Sequence, residues 1–470
     1  MSFQLPRHIH LIGVGGINMS GVAKLLVRAG VSVSASDIAS SEITDELIKK
    51  NFNVKIGHTE KNVPAETQLI IYSSAVPENN PERMEGRTRG LTQLNNFEFL
   101  AQWFADHDIF LVTGTHGKST TTALTGLLLT EAGLDPTVII GSCVKAFPEG
   151  NVRAGQSSQV VIEGDEYAQH FLSFHPRGLI INNIEWDHPD AFPTLDDLMQ
   201  AFRDLLKRVR DGGVVIANAD DPRVGTLIGE ERSKLEARGI RIRTFGFASH
   251  ADMQVIDHVI RPGEQTFSLR DEQEPASRYL LHVPGRINVM NATAAVSLTS
   301  LFGVNSDVIR HVFGLFQGIW RRFEKIVEQD GITVISDYAH HPTAIAATLE
   351  AARQWYPGRR IVLCFQPHQH KRTQELFLDF VPAFDRADVL VLTEIYDVVG
   401  RHEDAESVSS RDLEQTVRHH DADRGAKRLL EYAANPEEAL AALRRVRLKG
   451  DVIIVMGAGD IYQIAKRILT

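Results

Sequence analysis

Cysteine is nearly absent from this chain: two in 470 residues, Cys143 and Cys364. They lie far apart in apolar surroundings, so buried free thiols are expected in place of a disulfide framework. That usage fits a reducing compartment. No apolar run reaches the ~18 residues that a membrane span needs. The opening residues, Met1-Ser-Phe-Gln-Leu-Pro-Arg7, have no signal-peptide pattern. A cytoplasmic location is the expectation. An excess of positive charge is also missing: 50 Lys and Arg stand against 60 Asp and Glu, a net charge of −10. That balance argues against a general nucleic-acid or membrane-surface binder, but leaves small anionic ligands open, since these need only a local positive site. Internal repeats and low-complexity tracts are lacking. What remains is ordinary for a folded chain, with 43% hydrophobic and 23% charged residues. The length is that of about three domains.

The most informative stretch is Thr113-Gly-Thr-His-Gly-Lys-Ser-Thr-Thr121. An apolar run, Ile109-Phe-Leu-Val112, precedes it, and a helical pattern from Ala123 to Glu131 follows and stops at Gly133. Strand, glycine loop and helix together form the context of a phosphate loop. Gly114 and Gly117 let the backbone turn its N–H groups inward, with Thr115 and His116 between them. Those donors and the positive helix N-terminus favour a polyphosphate. Lys118 adds a point charge for the β- and γ-phosphates. Ser119 offers a hydroxyl to Mg²⁺, and Thr120 follows it in the first turn.

Upstream, His8-Ile-His-Leu-Ile12 reads as a strand, Gly13-Val-Gly-Gly16 as a turn, and Met19 onward as a helix ending near Gly30. Val31 to Ala35 is a second strand with Ser36-Asp37 at its end. This is a βαβ opening of the dinucleotide-binding type, with Asn18 where a third glycine would stand. The turn alone fits a nicotinamide dinucleotide, another nucleotide diphosphate, or no ligand. Gln68-Leu-Ile-Ile-Tyr72 is a further strand, and Ser73-Ser74 after it suit a ligand loop. The first boundary is expected near residue 107.

In residues 108–316 three apolar strands end in acidic or amide residues: Glu163-Gly-Asp-Glu166, Asn183-Ile-Glu-Trp-Asp-His188 and Asn218-Ala-Asp-Asp221. In an open parallel sheet such ends line one crevice, the one the phosphate loop enters. Carboxylates and imidazole beside phosphates suit Mg²⁺, which takes one or two protein ligands plus water and phosphate oxygens. From residue 317 to 470 the pattern is again doubly wound α/β. Its strands end at Asp337-Tyr-Ala-His-His-Pro342, Gln366-Pro-His-Gln-His-Lys-Arg-Thr373, Glu394-Ile-Tyr396 and Gly457-Ala-Gly-Asp460, the last before a final helix. Pro342 is well placed to start a helix. His340 and His341 have no Cys or acidic cluster at metal-site spacing beside them. Substrate contact and simple capping both remain open for that pair.

In their order and spacing these motifs, with Arg321-Arg-Phe323, resemble the Mur ligase family. The resemblance covers the whole chain. It implies an α/β protein of three domains: a Rossmann-like domain over 1–107 for the UDP-sugar, a central P-loop ATPase-like domain over 108–316 for ATP and Mg²⁺, and a Rossmann-like C-terminal domain over 317–470 for the incoming amino acid. It implies an ATP-dependent amide ligase working on UDP-N-acetylmuramate through an acyl phosphate, as a monomer or homodimer. Gly13-Val-Gly-Gly-Ile-Asn-Met-Ser-Gly21, Phe365-Gln-Pro-His368, Thr393-Glu-Ile-Tyr396 and Ser407-Val-Ser-Ser410 are similar to members that use L-alanine. Glu163-Gly-Asp-Glu-Tyr167 and Asn182 to Pro193 are more similar to members that re-attach the recycled tripeptide L-Ala-γ-D-Glu-meso-diaminopimelate.

Carried over residue by residue, the resemblance implies ATP contacts from Gly114 through Thr120, Asn291, Arg322 and Asp337. Ser119, Glu163 and His188 would hold the metal; Glu163 and His188 stand at the family's 25-residue spacing. Gly13, Gly15, Gly16, Asp37, Ser73 and Ser74 would meet the UDP-sugar. His341, His368 and Arg372 would meet the amino acid, and His340 would orient or deprotonate its ammonium. Three departures stand out. Ala168 replaces a usual aspartate. Arg203 stands where several sister ligases carry a carbamylated lysine. Gln369 replaces one of two arginines beside the amino acid's carboxylate.

Overall fold

A computed structural model describes residues 3–271, 274–396 and 408–470. Met1 and Ser2 of the opening stretch, and Ser407 of the Ser407-Val-Ser-Ser410 motif, lie outside the described residues. Two compact units divide the chain. One holds Met1–Ile184, Met199–Phe245 and Ala294–Val308; the other holds Glu185–Leu198, Gly246–Thr293 and Ile309–Thr470.

The first unit contains two sheets. Strands β1 (His8–Ile12), β2 (Ser32–Asp37), β3 (Asn53–Ile56), β4 (Leu69–Tyr72) and β5 (Thr92–Asn95) form a five-stranded sheet of order β3-β2-β1-β4-β5. Every pairing in it is parallel. The switch point lies at the ends of β1 and β4, where a doubly wound sheet opens its ligand crevice. The second sheet is built from β6 (Asp108–Thr113), β7 (Thr137–Ile139), β8 (Val152–Arg153), β9 (Gln159–Glu163), β10 (Gly178–Ile181), β11 (Val214–Asn218) and β12 (Arg241–Gly246). These strands follow the order β12-β11-β10-β6-β9-β7-β8, and among the described residues only β8 runs antiparallel to its neighbour here. Ile109, Phe110, Leu111 and Val112 are all buried, as expected of a central strand covered on both faces.

The second unit contains an antiparallel meander and a mostly parallel sheet. The meander runs β13 (Met253–Arg261), β14 (Glu264–Asp271) and β15 (Glu274–Leu281). In β13, buried Met253 and Val255 alternate with more exposed neighbours, the mark of a sheet with one covered face. The other sheet is β16 (Glu324–Gln329), β17 (Ile332–Asp337), β18 (Ile361–Phe365), β19 (Val389–Thr393), β20 (Leu429–Ala433) and β21 (Val452–Met456). Its order is β16-β17-β21-β18-β19-β20, with β16 alone antiparallel.

Local signals place the helix starts. Asn80-Pro81, Asp221-Pro222, His341-Pro342 and Asn435-Pro436 each pair a capping side chain with a proline at the first helical position. The final helix expected after Gly457-Ala-Gly-Asp460 is present as a 3₁₀ helix, Ile461–Arg467. One expectation needs correction. The thiols are both free, but only Cys364 is buried; Cys143 is half-buried. Burial pushes the Cys364 thiol up to about 12, so it stays protonated and inert. Among the described residues no helix is long and apolar enough to cross a membrane.

Candidate active site

In the first unit, β6 leads through Gly114 and Gly117 into the helix Lys118–Glu131. The helix thus starts five residues before the periodic segment begins. Gly114 has φ 127° and lies so close to Asn183 that a Cβ would come within 2.9 Å of its backbone N and O. Gly117 has φ 82° and precedes a helix whose first turn receives no side-chain cap. The first amides of a helix have no intrahelical partner, so this end is a ready anion site. Asn183, at the end of β10, shapes the rest of the loop. Its carbonyl accepts from Thr115 N (3.1 Å), its Oδ1 accepts from His116 N (2.8 Å), and its Nδ2 donates to His116 O (3.1 Å).

Lys118 Nζ donates to Gly114 O (2.7 Å), Thr115 O (3.2 Å) and Glu166 Oε1 (2.9 Å). Burial works against its charge, but Glu166, Asp165 and Glu163 outweigh that and raise its pKa. It is therefore a lasting ammonium at the phosphate loop. Burial pushes the Glu166 carboxyl up to about 7, with Lys118 opposing. Ser119 Oγ donates to Glu163 Oε1 (2.8 Å), while Gly141 N donates to Glu163 Oε2 (2.7 Å). Thr120 is buried in the same turn.

The glycine turn after β1 is built differently. Gly13, at φ 84°, and Val14 donate their amides to Ser36 O (2.8 and 3.0 Å). Gly15 N donates to Asp37 Oδ2 (2.7 Å), and a Cβ at Gly15 would meet that oxygen at 2.9 Å. Gly16 caps the helix Ile17–Arg28 without a side-chain bond. Ser73 follows β4 and donates its amide to Ile12 O (3.0 Å), which places it beside Gly13; Ser74 is exposed. The ends of β1, β2 and β4 thus gather Gly13, Gly15, Gly16, Asp37 and Ser73.

Beneath that turn, Glu82 is fully buried and accepts from Ser36 Oγ (2.5 Å) and Asn62 Nδ2 (2.8 Å). It also faces His10 Nε2 (2.9 Å) and His58 Nδ1 (3.0 Å). Burial alone would raise this carboxyl, but His10, Ser36 and Asn62 bring it down to about 2.

The second unit gathers a different cluster. Arg372 donates from Nε to Asp187 Oδ1 (2.6 Å), and its terminal nitrogens donate to His188 Nδ1 (3.3 Å) and His368 Nδ1 (3.2 Å). Burial opposes ionisation of Asp187, but Arg372, His188 and His340 hold it well below the usual carboxylate range. The carboxylate on Arg372 is therefore the protein's own, in the place expected for an amino acid. His340 Nε2 lies 3.7 Å from Asp187 Oδ2, and its Nδ1 donates to Tyr338 O (3.1 Å). Burial, together with Arg372, lowers His340 to about 3 against the pull of Asp187. His340 is neutral at physiological pH.

The neighbouring histidines do not act as a pair. His341 accepts from Thr343 N (3.3 Å) as the cap of the helix Pro342–Trp355 and lies 3.7 Å from Glu185. Both histidines do have acidic neighbours, Glu185 and Asp187, from a distant segment that their own sequence surroundings gave no hint of. Asp337 spends its oxygens on Phe323 N (2.7 Å) and Ala339 N (2.8 Å), and burial raises its pKa. Arg322 lies over the Tyr338 ring at 4.7 Å. Asn291 is buried, with Nδ2 donating to Asn288 Oδ1 (3.3 Å). Gln369 is buried at φ 70°, an uncommon backbone for a side chain of its size.

Residues absent from the expected site also matter here. Asn183, Glu166, Asp187 and Gly141 hold the functional groups in place. The first three carried a signal, as polar residues at strand ends or beside expected ligands; Gly141 carried none.

A phosphate loop set in a parallel sheet defines a nucleotide-using enzyme class. Family models match in chain order: the Mur ligase family catalytic domain over residues 8–108, the Mur ligase middle domain over 112–299, and the Mur ligase glutamate ligase domain over 321–459. The chain belongs to the Mur ligase family. It is 36% identical to the UDP-N-acetylmuramate–L-alanine ligase of Solibacter usitatus, over 99% of this chain and 96% of that one. It is similar to the solved structure of UDP-N-acetylmuramate-alanine ligase from Thermotoga maritima, with TM-score 0.81, 27% identity and 98% of each chain covered. A murein peptide ligase from Psychrobacter arcticus shares the fold at TM-score 0.72 and 22% identity, over 99% of this chain and 98% of that one.

Proposed function

We propose that the chain is an ATP-dependent ligase that joins L-alanine to the lactyl carboxylate of UDP-N-acetylmuramate in peptidoglycan synthesis. The observation that carries this reading is the end-to-end match to relatives of that name. The built phosphate loop of Gly114, Gly117, Lys118 and Ser119 agrees with it. The domain roles follow: residues 1–107 for the UDP-sugar, 108–316 for ATP, 317–470 for the amino acid.

A carboxylate does not acylate an amine at neutral pH, because its leaving group would be oxide. Its oxygen therefore attacks the γ-phosphorus of ATP, the bond to the β-phosphate oxygen breaks, and ADP leaves. The acyl phosphate then meets a free amine. The nitrogen bonds to the carbonyl carbon, the C–O bond to phosphate breaks, and the proton lost from nitrogen leaves with the departing phosphate. Lys118 and the uncapped first-turn amides stabilise charge on the transferred phosphoryl group. Ser119 and Glu163, hydroxyl and carboxylate 2.8 Å apart at the loop, fit a phosphate-bound Mg²⁺ that keeps several waters. When bound, Mg²⁺ would neutralise phosphate oxygens.

His188 is engaged within the second unit: while the Arg372 guanidinium donates to its Nδ1, the ring proton sits on Nε2 and neither nitrogen offers a lone pair to a cation. His340, lowered to about 3, is too weak a base to take a proton from an ammonium efficiently. Orientation of the amine is the role its geometry supports.

The test is phosphate release with UDP-N-acetylmuramate and L-alanine, glycine, L-serine or the L-Ala-γ-D-Glu-meso-diaminopimelate tripeptide. L-Alanine is expected to be the preferred amine. Tripeptide turnover without L-alanine turnover would overturn the choice of amine and leave the ligase chemistry standing. Since Arg372 already holds Asp187 and Gln369 offers no charged fork, a high KM for L-alanine is expected. Gln369→Arg should lower it about tenfold, the scale of one charge-assisted bond.

A further inference from the structure

Asn151 is completely buried on the loop before β8, and both hydrogens of its side-chain amide are donated. Nδ2 donates to Ile17 O (2.5 Å) and Ser20 Oγ (3.1 Å). Oδ1 accepts from Lys24 Nζ (3.0 Å). Ile17 is the first residue of the helix that opens on the Gly13–Gly16 turn. Lys24 lies on the same helix and is 6% exposed. Its ammonium also donates to Glu149 O (3.0 Å) and pairs with Glu46 Oε1 (3.3 Å). An ammonium has three N–H donors, and here each has an acceptor. Gly21, on the face between them, lies so near the loop that a Cβ would come within 2.8 Å of Val152 Cγ1. The helix is therefore seated on this loop as closely as a glycine permits.

The backbone of the same residue faces the other way. Asn151 O accepts from Ile140 N (3.1 Å). The next amide, Gly141 N, donates to Glu163 Oε2 (2.7 Å), and Glu163 Oε1 accepts from Ser119 Oγ (2.8 Å). One path of hydrogen bonds, continued through the Asn151 and Ile140–Gly141 backbone, thus runs from the first residue after the Gly13–Gly16 turn to Glu163 and Ser119. It lies within a single compact unit. Asn151 is the residue in which its two halves meet.

We propose that Asn151 is a positioning residue that couples the two turns, so that a UDP-sugar on Gly13–Gly16 and a nucleotide on the phosphate loop tighten each other's binding. The inference rests on the ligase reading. A diphosphate at the N-terminus of the helix Ile17–Arg28 fixes Ile17 and Ser20, and with them the amide of Asn151. A fixed loop holds Ile140 and Gly141, which orient Glu163 toward the cation of a bound nucleotide. Coupling of this kind is reciprocal and has a typical size of about 5–150-fold.

The experiment is calorimetric titration of the full chain with UDP-N-acetylmuramate, with and without saturating β,γ-methylene ATP and Mg²⁺. The wild-type protein should bind the sugar nucleotide about 5-fold or more tightly when the analogue is present. Asn151→Ala and Ser20→Ala should reduce that ratio toward one while each ligand alone binds much as in the wild type. A purely structural staple would lower the unfolding temperature and leave the ratio intact. A retained ratio in the variants, or no coupling in the wild type, overturns the proposal. If Asn151→Ala does not fold, Ser20→Ala decides, because it removes one acceptor of the amide and little volume. If the wild type does not bind UDP-N-acetylmuramate at all, the ligase reading fails as well. Binding without coupling removes only this inference.

Discussion

The two glycine turns of the first unit solve the same backbone problem with opposite chemistry. Each follows a central parallel strand, each has a left-handed glycine, and each opens a helix with no side-chain cap. After β1, the turn amides go to Ser36 O and to the carboxylate of Asp37, and the turn Gly13-Val-Gly-Gly16 carries no lysine of its own. After β6, the turn amides go to the neutral amide of Asn183, and Lys118 sits within the loop beside Glu163 and Glu166. A carboxylate on a turn amide would leave a diphosphate only the helix end and would favour a hydroxyl-bearing partner. A lysine with a carboxylate–hydroxyl pair suits a triphosphate and its cation. On the proposed reading the supersecondary unit would supply the anion site, and the side chains from the neighbouring strands would select the ligand.

The contrast breaks most sharply at Lys118. Lys118→Ala should lower phosphate release by on the order of 10²–10³ or more, the usual cost of losing a preorganised charge at a transition state. The unfolding transition should persist, and UDP-sugar binding should remain. Near-normal turnover by the purified variant would remove the phosphate loop from the chemistry. Next in size is Glu163→Gln. It keeps the shape, weakens the acceptor for Ser119 and Gly141, and should raise the Mg²⁺ concentration for half-maximal rate by about 10-fold or more. An unchanged Mg²⁺ dependence would place the cation elsewhere.

Asp37→Ala tests the other turn and should be milder. It removes the carboxylate that holds the Gly15 turn in shape and that would accept from a hydroxyl of the ligand, one charge-assisted bond of about 1.5–3 kcal/mol. The KM for UDP-N-acetylmuramate should rise by about tenfold while the KM for ATP stays put. A change in the ATP term alone would reverse the assignment of the two turns.

The smallest effect at neutral pH concerns how the first turn is anchored. Glu82 holds Ser36, whose carbonyl ties Gly13 and Val14. Its folded pKa is depressed from 4.5 to about 2. The stability it contributes is fully present above the unfolded value and is lost as pH falls from about 4.5 toward 2. Urea midpoints for the wild type should drop across that window. Glu82→Gln should flatten the drop while leaving turnover at pH 7 within a few-fold. An equally steep acid limb in the variant would assign it to other carboxylates.

What the chain order by itself determined is the part carried by adjacent residues. Apolar runs of four to six residues specify strands buried on both faces, and glycine, hydroxyl and lysine at fixed offsets specify the phosphate loop. Proline after a capping side chain specifies the helix starts. These need only backbone geometry and local hydrogen bonds, so the fold class, the two turns and the strand-end placement of Glu163 were legible. The tertiary structure decided which distant groups share a proton or a charge. Arg372 meets Asp187 from 185 residues away, and Asn151 meets Ile17 from 134. It also decided that His341 caps a helix while His340 turns to Asp187, and that Cys143 is half-buried. Such partners are selected by how strands order in a sheet and how helices pack on it. A buried charge accepts whichever opposite group that packing brings near, and nothing in its own neighbourhood along the chain encodes which one it will be.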